Sequence, residues 1–296
     1  MVSRRTFLST ASAALGVAAL GATPSCRGGA EVALTVRGSD SELNLVQRLA
    51  EEFMATRPDV AIGVTGGGSG VGIAALLDGT TKIATSSRAL LPQEKLIALR
   101  KHRHPRAAIF ATDALAVIVH PDNPRADASI AEIGALFRGE TLRWESGAAV
   151  VAYGRQSSSG TYGFFKSAVL HGDYATTLRE LNGTAQIVEA VSHDAGGIGY
   201  VAAGYLRHGA AVRVLGVRGD VDTPVDPLDE DAVLAGRYPI TRPLFQFTEG
   251  VPRGVIADFI RYELSAAGEA VVREMGFYPV LASFRAENDA LFARGA

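Results

Sequence analysis

The stretch EVALTVRGSDSELNLVQRLAEEFMATRPDVAIGVTGGGSG, residues 31–70, decides the fold. EVALTVRGSD reads as a β-strand that ends in a turn. Leu43, Val46, Leu49, Ala50 and Phe53 then recur on one face of a helix, and Pro58 stops it. DVAIGVTGGGSG is a second strand running into a glycine-rich turn. Strand, loop, helix and strand in this order are the unit of a parallel α/β sheet.

The unit recurs along the chain. VGIAALLDG (71–79) is a short helix with Gly79 as its stop; TKIATSSRAL (81–90) is a third strand and loop; PQEKLIALRKH (92–102) is another helix. DALAVIVHPDNP (113–124) is strongly β-prone, is stopped by two prolines, and suits a crossing between domains. SIAEIGALFRGETLRW (129–144) reads as helix, AAVVAYGRQSSSG (148–160) as strand into loop, and TYGFFKSAVLHG (161–172) as helix. AGGIGYVAAGYL and AAVRVLGV continue the α/β pattern, and PLFQFTEG (243–250) is β-like. VIADFIRYELSAAGEAVVREMG (255–276) reads as two helices with a break around Gly268.

The N-terminus stands apart from this pattern. MVSRRTFLSTASAALGVAALGA pairs two arginines with an apolar run interrupted by small residues, the form of an export signal over residues 1–26 rather than of a permanent transmembrane helix. SRRTFL resembles a twin-arginine signal, with Ser9 where a lysine is common. Cys26 is the single cysteine, so an intrachain disulfide is excluded. Its place in TPSC resembles a bacterial lipoprotein acceptor, although Thr23 stands where leucine is usual; the alternative is an incidental thiol in a removed peptide. A short linker, 27–31, leads into the fold. The 296 residues are 47% hydrophobic with a net charge of −2, which suits one large or two medium globular domains and gives no support to a nucleic-acid partner.

GSDS (38–41), TGGGSG (65–70), TSSR (85–88) and RQSSSGT (155–161) all fall at the junction of a strand with a helix. Ligands of parallel sheets bind at such strand ends. Helix N-termini there carry unpaired N–H groups and partial positive charge, so they hold anions. Glycines let the backbone come close, hydroxyls donate further bonds, and Arg88 and Arg155 offer forked donors. Each loop alone reads as an ordinary turn. If these loops converge, they make a cage that can hold a tetrahedral oxyanion without metal. GGGSGVG lacks the acidic partner of a dinucleotide site, and Gly67–Val71 fails the nucleophile-elbow pattern at its last position. The six histidines have no metal-ligand spacing, so no metal and no cofactor is expected.

GSDSELNLVQRLAEEF, VTGGGSGVGIAALLDG, ATSSRALLPQE, DALAVIVHPDNP, RQSSSGTYGFF, GGIGYVAAGY and YPITRPLFQF, in this order, resemble the substrate-binding proteins of bacterial phosphate ABC transporters. The resemblance spans about residues 32–285. It implies a type II periplasmic-binding-protein fold: two α/β lobes joined by two hinge strands, with 32–115 and 243–296 in lobe I and 116–242 in lobe II. The crossings would lie near DALAVIV and RPLFQF, and the lobes would close over the ligand. Carried onto this chain, the resemblance implies a phosphate site of Ser39, Asp40 and Ser41 in the first loop and Ser69 and Gly70 in the second. Ser87 and Arg88 would form the third loop, and Arg155, Ser159, Gly160 and Thr161 the fourth.

Two positions depart from the family. Some members place an aspartate in the third loop to accept the proton of phosphate, where this chain has Arg88. Some place an aspartate two residues after the fourth-loop arginine to hold it, where this chain has Ser157. Asp40 is the candidate replacement for the acceptor; alternatively it caps the following helix. Asp113 is expected in the hinge or a buried hydrogen-bond network, and Tyr162, Phe164 and Phe165 in helix packing. The expected role is capture of inorganic phosphate outside the inner membrane by a monomer, with delivery to an ABC transporter permease and a possible lipid anchor at Cys26. Other tetrahedral oxyanions, or a phosphate sensor, are the alternative. A phosphatase is disfavoured, because the chain shows no metal cluster and no nucleophile with a recognisable base.

Overall fold

The structure is a computed structural model that describes residues 32–206, 209–220 and 222–293. The leader, the linker and Cys26 lie outside the described residues. The first part alternates as the sequence implies: β1 (Val32–Gly38), α1 (Leu43–Thr56), β2 (Val60–Thr65), α2 (Ser69–Leu77), β3 (Ile83–Ser86), α3 (Pro92–Arg100) and the long strand β4 (Pro105–Val119). Then come β5 (Asp127–Ser129), α4 (Ile130–Arg138), β6 (Val151–Arg155), α5 (Gly160–Phe165), β7 (Arg179–Leu181), α6 (Thr184–His193) and β8 (Gly197–Ala202). The chain ends with β9 (Arg213–Val214), β10 (Gly216–Arg218), α7 (Glu230–Leu234), β11 (Thr241–Glu249), α8 (Gly254–Glu263), α9 (Ala266–Glu274) and α10 (Ala282–Ala293).

The main sheet runs β2-β1-β3-β11-β4-β8-β6-β7, with β9 also on β4. β1 is parallel to both β2 and β3, and β6 is parallel to β7 and β8. Two parallel units are therefore present, each bounded by antiparallel pairing to a crossing strand. β4 makes the join: residues 105–114 pair with β11, and residues 115–119 pair with β8. It changes partner between Ala114 and Leu115, inside the DALAVIV segment. Its residues from Ala108 to Val119 are all buried, as expected of a strand covered on both faces.

Each unit has its own apolar core. Leu45, Val46, Leu49, Ala50 and Phe53 of α1 pack with Leu34, Val36, Phe110 and Phe259. Leu45 takes the place expected for Leu43, which is half-buried at the first position of α1. The other core gathers Phe137, Phe165, Tyr200 and Tyr238, with Phe165 stacked on Tyr200 at 4.1 Å between ring centres. Trp144 joins it and donates from Nε1 to Gly196 O at 2.9 Å.

Two local expectations need correction. α4 stops at Arg138 because Gly139 turns left-handed (φ 74°), so the segment ETLRW is not helical. The break between α8 and α9 falls at Leu264–Ser265, where the Ser265 hydroxyl accepts from Gly268 N and caps α9. Gly268 lies inside the first turn of α9, and a Cβ there would run into the Tyr262 and Glu263 carbonyls. That glycine serves close approach of the two helices and not their separation. The helix after the fourth loop continues past α5 as a π-helical turn, Lys166–Leu170.

Candidate functional site

The four polar loops meet where β1, β2, β3 and β6 end. Loop one is fastened to the end of β3: Ser39 N donates to Thr85 O at 3.1 Å and to Thr85 Oγ1 at 2.9 Å. Its hydroxyl donates to Ser87 Oγ at 3.2 Å. Ser69, at the first turn of α2, lies 3.4 Å from the same Ser87 oxygen and accepts from Ser87 N at 3.2 Å. Ser41 and Thr161 pair hydroxyl to hydroxyl at 2.6 Å, across 120 residues of sequence. Ser39, Ser41, Ser69, Ser87 and Thr161 are all buried, which puts five hydroxyls in one water-poor cluster.

Loop four reaches this cluster because residue 160 is glycine. A Cβ there would overlap the Ser69 and Ser87 hydroxyls. Ser159 caps α5 by accepting from Thr161 N at 3.2 Å. Gly70 N donates to Ser158 O at 3.0 Å, so loops two and four also touch through backbone. All the sequence-derived residues except Arg88 are joined by these contacts or by those of Arg155.

Arg155 is 1% exposed. It donates to Thr184 Oγ1 at 3.0 Å, to Asn182 O at 2.7 Å and to Asp40 Oδ2 at 2.6 Å, while its Nε has no protein partner. A buried donor left unpaired is costly, so Nε is suited to a ligand acceptor. Asp40 also accepts from Gly67 N at 2.8 Å through its other oxygen. It does not cap α1, whose first turn has no side-chain cap. Instead its carboxylate pairs with the Arg155 guanidinium across 115 residues of sequence.

Arg88 behaves differently. Its guanidinium makes a two-bond pair with Glu94, both contacts at 2.8 Å, and Glu94 in turn accepts from Leu91 N at the start of α3. Its charge is met within its own loop and helix. Its side chain still runs close to Gly70 and Gly163, at the edge of the cluster.

Arg242 on β11 is the residue that sequence reasoning missed. It donates twice to Asp113 Oδ2, at 2.9 and 2.7 Å, and once to Thr161 Oγ1 at 3.1 Å. Both partners of the ion pair are essentially fully buried. Burial pushes the Asp113 carboxyl up, and the Arg242 charge opposes that shift. Asp113 thus sits in the crossing-strand network, and Arg242 ties that network to loop four. The one available signal was an arginine inside an otherwise apolar strand, TRPLFQF.

Glu42 was also unforeseen. It is 0% exposed, and neither carboxylate oxygen has a hydrogen-bond partner. Burial pushes it up to about 8, against the pull of the Arg242 charge, with Asp113 and Asp40 adding to the rise. Tyr205, whose hydroxyl donates to Asp40 O at 2.7 Å, is itself pushed up to about 12 by burial.

Among the described residues, no group of three or more His, Cys, Asp or Glu is placed to hold a metal ion. The arrangement is a cluster of hydroxyls and backbone N–H groups with a charge-balanced arginine, a chemistry suited to holding an anion.

A family model described as a PBP superfamily domain matches residues 25–267. The chain belongs to that superfamily. The phosphate-binding protein PstS of Pseudomonas aeruginosa strain PAO1 is 31% identical over 266 residues, covering 82% of this chain and 81% of the relative. The PstS of Bacillus subtilis is 27% identical over 254 residues, covering 83% and 80%. The chain also superposes on a phosphate ABC transporter substrate-binding protein with bound phosphate from Clostridium perfringens. That match has a TM-score of 0.76 and 25% identity, covering 84% of this chain and 99% of the other. An ABC-type phosphate transport receptor from Vibrio cholerae matches in fold with a TM-score of 0.66, at 22% identity and 83% and 100% coverage. The type II binding-protein fold expected from the sequence is thereby established.

Proposed function

We propose that this chain captures inorganic phosphate outside the inner membrane and delivers it to the permease of an ABC transporter. The observation that carries the reading is the meeting of five buried hydroxyls with Arg155, whose Nε is unpartnered and whose charge is balanced by Asp40. Such a site holds a dehydrated oxyanion by many directed donors while keeping the site's own net charge near zero. The identities to PstS proteins support the same ligand.

In this reading, residues 32–115 and 243–296 form lobe I and residues 116–242 form lobe II. The lobes rotate about β4 and the chain leading into β11. Closure brings Thr161 to Ser41, Arg155 to Asp40, and Gly160 to Ser69 and Ser87. One chain supplies all four loops, so a monomer is the working unit. The permease docks across both lobes of the closed form, and an acyl group on Cys26 tethers the protein to the membrane.

Calorimetric titration of the processed chain, freed of bound anion by unfolding and refolding, tests the ligand. One phosphate per chain, undiminished by excess sulfate, is expected. Absence of phosphate binding, or equal competition by sulfate, refutes the assignment.

A further inference from the structure

The surface around α3 is unlike the rest of the molecule. Three of the six large apolar side chains exposed among the described residues lie on it: Leu96 (54%), Ile97 (39%) and Leu99 (67%). Ala98 is the one residue that α3 buries. A helix that turns its leucines outward is not held by a core face of its own; Pro92 at its start and Glu94 at its first turn set it instead. The same stretch is basic. Residues 95–106 hold Lys95, Arg100, Lys101, Arg103 and Arg106 with two histidines and no acidic residue, in a chain of net charge −2. Lys101 pairs with Asp78, while Lys95, Arg100, Arg103 and Arg106 have no ion pair among the described residues.

We propose that this face of the protein rests on an anionic phospholipid surface. Exposed leucines beside lysine and arginine suit such a surface: the apolar side chains enter the headgroup boundary and the cations meet lipid phosphates. A cleft of about 450 Å³ adjoins the helix, with Leu90, Phe245, Phe247 and Leu291 among its walls, Lys95 and Arg106 beside them and Glu287 as its one acidic member. It gives an acyl chain room to enter next to two cations. The excess of unpaired positive charge on this patch selects an anionic partner, and the three exposed aliphatic side chains select one with an apolar interior.

Vesicle co-sedimentation tests this. The processed chain beginning at residue 27, after Cys26, is used, so no acyl group contributes; the described fold starts at Val32. The expected result is sedimentation with vesicles of phosphatidylcholine and phosphatidylglycerol, little with phosphatidylcholine alone, and release at high salt. Leu96→Ser with Leu99→Ser, and separately Lys95→Glu with Arg100→Glu, each weaken partitioning at least tenfold while phosphate affinity is unchanged. No sedimentation, equal sedimentation on both vesicle types, or indifference to both double variants overturns the proposal. Capture of purified permease through these residues, without binding to anionic vesicles, overturns it in favour of an acidic protein partner.

Discussion

Replacing Glu42 by glutamine makes the protein more stable above about pH 4.5, by an amount that grows until about pH 8. Glu42 is fully buried and rises from 4.5 to about 8, burial being the largest cause. It faces Ser39, Asp40, Asp113 and Arg242, and Glu263 on α8 lies near enough to feel its charge. Below about pH 4.5 the carboxyl is neutral in both folded and unfolded chains and costs nothing extra. Between about pH 4.5 and 8 the unfolded chain releases its proton while the folded chain keeps it, so stability falls as pH rises. Each unit of displacement corresponds to ~1.4 kcal/mol, which over the whole interval sums to a loss of about 5 kcal/mol as an upper figure. Above pH 8 the loss levels off. Glutamine has no proton to lose, so the difference in unfolding free energy between Glu42→Gln and the parent isolates this one group, other titrations cancelling. Urea unfolding followed by circular dichroism at pH 5, 6, 7, 8 and 9 measures it. The expected curve climbs by several kcal/mol and flattens near pH 8. A difference that stays constant across the range refutes the reasoning, because it would mean that Glu42 ionises like a surface carboxylate.

Three further outcomes follow from the site. Arg155→Ala lowers phosphate affinity at least tenfold in calorimetry, since a charge-assisted bond contributes ~1.5–3 kcal/mol; an unchanged affinity removes Arg155 from the site. Gly160→Ala pushes loop four away from Ser69 and Ser87 and also weakens phosphate binding at least tenfold, with a melting temperature near that of the parent. A variant that binds as well as the parent would show that the approach of these loops is not needed. Arg242→Met strands the buried Asp113 carboxylate and lowers the unfolding free energy by about 3–5 kcal/mol at pH 7; a loss under about 1 kcal/mol would contradict the ion pair.

Much of the architecture was legible because it is local. Strand, turn and helix periods in residues 31–102 identify the parallel unit, and proline and glycine mark its stops. The loops of the site were legible for the same reason, as hydroxyl and glycine clusters at strand ends. What stayed hidden depends on distant partners. Nothing near Arg242 in the chain announces Asp113, 129 residues earlier. Glu42 reads as a helix-start acid, and its burial under loop one is a property of the packed fold. Asp40 has the composition of a cap, yet its partner is an arginine 115 residues away. Arg88 looks like a ligand donor until Glu94, six residues on, takes its charge. Leu43 and Leu45 both fit a helical stripe, and the angle at which α1 meets the sheet chooses Leu45.

The place of β11 between β3 and β4 governs the order in which this protein can be made. β3 and β4 follow one another in the sequence, but they are not neighbours in the sheet; the strand that joins them is residues 241–249. A ribosome that has released the first half of the chain has therefore released two strands with a missing companion between them. Their facing edges carry unpaired backbone groups, open to wrong partners until the last fifth of the chain arrives. The N-terminal unit begins first and finishes late, so its sheet cannot close before residues 241–249 have been made.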